Sequence, residues 1–202
     1  MLESLLGKPW DVGPFLRAAI GLASALSGLH RRSLVHKDVK PSNLLVDVAT
    51  GKAWLAGFGL TERLAREGHA PSPPQAIAGT LAYMAPEQTG RMNRSVDTRS
   101  DLYSLGVTLY EMLTGTLPFK ASEPMEWIHC HIARQPAAPD ERVHGIPAML
   151  SAIVLKLLSK NAEDRYQTAR GVEANLRRCL SNWDAVGHIE QFPLAEHDVT
   201  DC

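Results

Sequence analysis

Three cysteines in 202 residues, at Cys130, Cys179 and Cys202, are too few and too scattered for a disulfide framework, and they fit a reduced protein of the cytoplasm. Long apolar runs are also lacking. None approaches the ~20 residues that a membrane-spanning helix needs, so no membrane insertion is expected. The first eight residues, Met1 to Lys8, carry no basic stretch followed by an apolar core and do not read as a signal peptide. Neither sign of charge dominates: 21 Lys and Arg face 22 Asp and Glu, so nothing in the balance recruits nucleic acid. Paired metal ligands are missing as well. His129, Cys130 and His131 are adjacent, so on a helix their side chains diverge, and no second pair at zinc-site spacing lies nearby. Helix surface and core packing is the expectation for that triplet.

What is present is enough apolar residue for one buried core, 45% of the chain, in a length that suits a single domain. Phe15, Leu16, Ala19, Ile20, Ala23, Leu26 and Leu29 recur at helical spacing and predict a helix over 15–30. Leu44 to Asp47 and Lys52 to Ala56 read as two short strands around a turn at Ala49-Thr50-Gly51. Residues 61–78, polar and proline-rich around Ala70 to Pro74, read as a loop. Asp101 to Leu113 is apolar nearly all round, the pattern of a helix buried on every side, closed by Gly115 and Pro118. Leu150 to Leu158 and Val172 to Leu180 predict two further amphipathic helices. The periodicity fades at Asp184.

The octet His36-Lys37-Asp38-Val39-Lys40-Pro41-Ser42-Asn43 resembles the catalytic loop of protein kinases, H-x-D-x-K-x-x-N. Further motifs follow in the order of that family. Gly57-Phe58-Gly59 stands at the Asp-Phe-Gly position, and Gly79 to Tyr83 precedes Met84-Ala85-Pro86-Glu87. Asp101 to Gly106, Gly115 to Phe119 and Asp164-Arg165-Tyr166 complete the series. The chain is thus similar to a eukaryotic-type Ser/Thr protein kinase domain, over its C-terminal lobe. That implies a mainly helical kinase-like fold with a small β-hairpin at the cleft, over 1–183, and a linker or tail over 184–202. The longer stretch Gly79 to Phe119, with Glu87 to Arg94 inside it, and the tail Ile189 to Leu194 further resemble the N-terminal kinase modules of bacterial multi-domain sensor histidine kinases.

The resemblance assigns roles. Asp38 would orient the acceptor hydroxyl and take its proton, Lys40 would contact the phosphates of ATP, and Asn43 would hold Mg2+. Glu87 and Arg165 would pair to anchor the activation segment, and Asp101 would bind backbone amides of the catalytic loop. Thr80 would sit beside Asp38 and Lys40 and favour Ser/Thr acceptors. His36 and Phe58 would be packing partners.

Three departures temper this. Gly57 removes the carboxylate that bridges the metal to the phosphates, and a deficit of about 4 kcal/mol in transition-state stabilisation slows a reaction roughly a thousandfold. Glu62 is too far along the chain to replace it. No G-x-G-x-x-G loop or Val-Ala-x-Lys strand occurs in these residues, so the nucleotide-covering lobe is expected to be absent, leaving an apolar cleft floor exposed. Lys37 replaces an arginine whose fork would read a phosphate, so phosphorylation of Thr61 or Ser72 is not expected to be the main switch. The expectation is an impaired Ser/Thr protein kinase domain with weakened ATP and Mg2+ binding, acting on a protein substrate. The alternative is a pseudokinase that docks a partner without chemistry. A small-molecule phosphotransferase fits less well, because Thr80 and Ala85-Pro86-Glu87 belong to a protein-substrate platform.

Overall fold

The computed structural model describes residues 1–64, 81–92, 94–196 and 198. Six helices form most of it: α1 (Val12–His30), α2 (Thr98–Thr114), α3 (Pro124–Ala133), α4 (Pro139–Arg142), α5 (Ala148–Leu157) and α6 (Ala169–Val186). Four short strands make two antiparallel pairs, β1 (Leu34–Val35) with β4 (Glu62–Arg63) and β2 (Leu44–Val46) with β3 (Ala53–Leu55). The expected loop falls mostly on residues 65–80, outside the described residues, and with it Ser72 and Thr80; Cys202 lies outside them too.

Helix α2 forms the centre. Asp97 caps it, its carboxylate accepting the Arg99 N–H at 2.8 Å, and Gly115 closes it in the left-handed conformation at φ 72°. Almost every side chain between is buried, including Tyr103 and Tyr110. Helices α1 and α6 pack against each other, and α5 closes on α2. Gly106 makes the last contact possible, because a Cβ there would press to 2.7 Å from the Leu157 Cβ.

By length and composition α1 is apolar enough to cross a bilayer, which corrects the expectation that no stretch approached that limit. Its apolar residues are here taken up by the core: Phe15, Leu16, Leu22 and Leu26 are fully buried. Glycines let the hairpin lie directly on this helix, since a Cβ on Gly21 would overlap the Gly51 carbonyl. The hairpin register pairs Leu44 with Leu55 and Leu45 with Trp54. Asp47 shapes its turn, accepting the Ala49 N–H at 3.0 Å and the Thr50 hydroxyl at 2.7 Å. Those bonds, the hydroxyl's first, hold the Asp47 carboxyl below its usual range.

The helix expected to fade at Asp184 continues to Val186, and Gly187 ends it in the left-handed conformation at φ 65°. The chain then turns back onto the body. Ile189 and Phe192 are buried, the Arg178 guanidinium lies 4.2 Å over the Phe192 ring, and Asp198 accepts the Thr168 N–H at 3.0 Å.

Candidate active site

Two carboxylates build the site from the inside out. Asp101, in the first turn of α2, is 1% exposed. It accepts the backbone N–H of His36 and of Lys37, each at 2.8 Å, and the His30 Nε2–H at 2.9 Å. A buried helix thereby grips a loop at two successive amides. The grip holds Lys37 at φ 66°, a left-handed conformation rare for a residue with a side chain. Gln88 supports it from the other side, donating from Nε2 to the Lys37 carbonyl at 2.8 Å while its Oε1 accepts the Ala85 N–H at 3.0 Å.

The second carboxylate is Asp38. Its Oδ2 receives the Asn43 amide at 2.8 Å and the Lys40 ammonium at 2.8 Å, and Asn43 also donates to the Asp38 carbonyl at 2.9 Å. Oδ1 is buried and has no hydrogen-bond partner among the described residues. One oxygen is therefore locked and the other left over, the arrangement that lets a carboxylate accept a bond from an incoming hydroxyl. His36 lies behind it, fully buried, with Nε2 donating to the Ala56 carbonyl at 2.8 Å and Nδ1 facing the Asp38 N–H at 3.3 Å. Both ring nitrogens are committed to backbone. The Phe58 ring stands 5.2 Å from it, tilted, and is 52% exposed.

Gly57 sits beside Asn43 with φ 76° and ψ 42°. A Cβ built there would overlap the Asn43 side-chain amide, its Nδ2 at 2.6 Å. The space that a side chain at position 57 would need is occupied. Glu62 is engaged elsewhere, its carboxylate paired with the Lys37 ammonium. Tested as a magnesium site, the donor set is short. Mg2+ is ordinarily held by one or two carboxylates besides phosphate oxygens. Here Asn43 offers one neutral oxygen, Asp38 already carries a lysine, and no cluster of three ligating side chains occurs among the described residues. The residues present do not fit the metal.

Glu87 and Arg165 form a two-pronged pair, Nη1 to Oε1 at 2.7 Å and Nη2 to Oε2 at 2.9 Å. Arg165 is 1% exposed and also donates to the carbonyls of Ser159, Arg99 and Lys160, while Ser100 donates to Glu87 at 2.7 Å. Every prong of the guanidinium is used, the condition for tolerating a charge at this depth.

Several contacts here escaped sequence reasoning. Tyr83 donates to Glu111 at 2.6 Å. His131 is buried, its Nε2 donating to the Leu81 carbonyl at 2.8 Å and its Nδ1 accepting from the Tyr103 hydroxyl at 3.0 Å. Burial pushes the His131 pKa down to about 4, so the ring is neutral. His129 is exposed and Cys130 buried, so the triplet diverges. Gln88 alone had a readable signal, a Gln three residues after a helix-start position, as in a capping box.

Comparison with known proteins agrees with this geometry. The family model described as "Protein kinase domain" matches residues 15–176. The serine/threonine-protein kinase PknB of Mycobacterium tuberculosis is 42% identical over 154 residues, covering 76% of this chain and 24% of that protein. PknB of Mycobacterium leprae is 41% identical over 178 residues, 88% of this chain and 27% of its own. A probable serine/threonine-protein kinase of Streptomyces coelicolor, SCO3848, is 36% identical over 165 residues, 82% of this chain and 24% of its own. The chain thus spans about a quarter of the length of the curated relatives it matches. With its catalytic-loop carboxylate, its two buried anchors and this match, the chain belongs to the protein kinase domain family.

Proposed function

We propose that these residues form the larger, helical lobe of a Ser/Thr protein kinase domain of bacterial signalling, impaired at the metal-holding step. Asp38 is the catalytic base in this reading, Lys40 the cation that meets the phosphates, and Asn43 the remaining neutral ligand. Thr80 biases the acceptor toward serine and threonine; Glu87, Asp101 and Arg165 keep the platform rigid. The observation that carries the reading is Asp38 Oδ1, a buried, unclaimed carboxylate oxygen on a loop gripped at two amides. ATP is the expected phosphoryl donor, bound weakly because position 57 supplies no carboxylate. A protein is the acceptor or docking partner, and the cytoplasm the compartment, in keeping with two buried free thiols at Cys130 and Cys179. The stretch Glu87 to Arg94 supports a place within a longer, sensor-type polypeptide.

A second reading, a pseudokinase that binds a partner without transferring phosphate, is favoured by one observation. Asn43 fills the space beside Gly57, so the cleft is packed around the missing carboxylate.

The test is transfer of labelled phosphate from ATP, by the natural full-length polypeptide, to a Ser/Thr peptide, a Tyr peptide and a small-molecule alcohol. Slow transfer to the Ser/Thr peptide is expected. It should fall about 10²–10⁴-fold in Asp38→Asn, the span of a general base, while the melting temperature holds. Transfer to the alcohol alone would place the protein among small-molecule phosphotransferases, and no transfer with ATP bound would favour the docking module.

A further inference from the structure

Past helix α6 the chain crosses back over the body as a strap, residues 189–198, and its two sides meet different hollows. Gln191, Phe192 and Leu194 line a cavity of about 420 Å³ against the first turns of α5. Pro193, Ala195, Glu196 and Asp198 line another of about 720 Å³, between the end of α1 and the first turns of α6. The middle of the strap is therefore loosely packed, the condition for a segment that opens before the core does.

The strap also carries strain. Ala195 stands at φ 59°, in the left-handed region that a residue with a Cβ seldom enters. Its N–H donates to Asn175 Oδ1 at 3.1 Å, and the Tyr166 hydroxyl donates to the same oxygen at 2.7 Å. Asp198 offsets the strain. It accepts the N–H of Gln167 at 2.5 Å, the N–H of Thr168 at 3.0 Å and the Thr168 hydroxyl at 2.5 Å. Gly171 makes room for that seat, since a Cβ there would overlap the Asp198 carboxylate.

This seat is joined to the buried anchors. Gln167 donates from Nε2 to the Arg165 carbonyl at 2.8 Å, and its Oε1 accepts from Arg99 Nη1 at 3.1 Å. Arg165 in turn donates to the Arg99 carbonyl and clasps Glu87. Arg99 lies in the first turn of α2, two residues before Asp101. One glutamine thus connects the strap to the Glu87–Arg165 pair and to the helix that grips the catalytic loop.

We propose that residues 189–198 are a releasable strap whose docking sets the rigidity of the Glu87–Arg165 anchor and of the start of α2. Docked, Asp198 fixes the Gln167 and Thr168 amides while Ala195 is held strained. Released, Ala195 relaxes, Asp198 passes to water, and the backbone at Gln167 is no longer held. Docking does not depend on the kinase reading, but its consequence, a firmer or looser acceptor platform, rests on it.

The test is hydrogen exchange of the full-length polypeptide, read by mass spectrometry, in the native protein, Gly171→Ala and Asp198→Ala. The first variant expels the carboxylate by bulk, and the second deletes it. In both, peptides carrying Ala195, Gln167 and Thr168 should exchange about tenfold faster, the worth of a bond to a charged group. Those carrying Arg99, Ser100 and Gln88 should also accelerate, while α5 keeps its rate. Acceleration confined to the strap, Gln167 and Thr168 would overturn the link to the anchor. Equal acceleration in every helix would overturn it too, leaving Asp198 a general stabiliser, and unchanged exchange in the strap would overturn the docking itself. None of these results bears on phosphate transfer.

Discussion

Single residues divide into those that hold charge and those that make room. Glu87 and Arg165 hold charge. Both are buried, so Glu87→Gln leaves a guanidinium without its counterion, and a loss of about 3–5 kcal/mol is expected in chemical denaturation. A loss under about 1 kcal/mol, the value of an exposed pair, would mean that the pair is not buried in solution. Gly57 makes room. Asn43 stands where a Cβ would go and the backbone is left-handed, so Gly57→Asp should cost about 1–3 kcal/mol in the nucleotide-free protein. Thermal melts of the single change beside Gly57→Asp with Asn43→Ala check the cause, since the second change should return most of the loss.

His131 gives the pH dependence at the same scale. Its folded pKa is lowered to about 4 from an ordinary 6.5, burial being the largest cause, followed by the opposing Leu81 carbonyl bond and by Lys160. The folded state thus binds fewer protons than the unfolded state between these values. Stability from this residue is level above pH 6.5, falls as pH drops toward 4, and levels again below it, by up to about 3 kcal/mol. Denaturation midpoints for the native protein and His131→Gln between pH 4 and 7 should converge as the pH falls. Parallel curves would show that the ring is not buried neutral.

At the scale of elements, what could be read in advance was what repeats. Helices α1, α2, α5 and α6 carry apolar residues at helical spacing over several turns, and the Asp47–Gly51 turn carries its own chemistry. Strands β1 and β4 are two residues each, too short to show alternation, and only their pairing of Leu34 with Arg63 makes them strands. Helix α3 was expected only at its triplet His129 to His131, because its buried face is built from Ile128, Cys130 and His131 rather than an aliphatic stripe that would show its length. The catalytic-loop motif was legible, and Asp101, Glu87 and Arg165 were expected as its supports from the family resemblance, yet three further supports were not. His30, Gln88 and His131 act across 71, 51 and 50 positions of chain, and no local pattern announces such contacts. The tail follows the same logic, since Phe192 is one isolated aromatic whose seat against Arg178 forms only on folding. Phe192→Ala should cost about 3 kcal/mol, near the lower bound for a buried phenylalanine, measured as a shift in denaturation midpoint. A shift within ±0.5 kcal/mol would show that the tail is not docked.

At the scale of the molecule, a helical body holds one buried, unclaimed oxygen of Asp38 beside a position 57 that supplies no carboxylate. Apolar side chains near that position remain exposed, Trp54 at 52% and Leu45 at 37% on one face of the hairpin. In the proposed reading this body serves phosphoryl transfer, and position 57 limits it. The most direct measurement is the rate of phosphate transfer from magnesium-ATP to a Ser/Thr peptide by the full-length polypeptide, with and without Gly57→Asp. The account predicts slow transfer by the native protein and a rise for the variant that stays short of the roughly thousandfold worth of a lost metal carboxylate, because the Asn43 amide occupies the space the new side chain needs. Fast transfer by the native protein, or none by the variant with ATP bound, would contradict it.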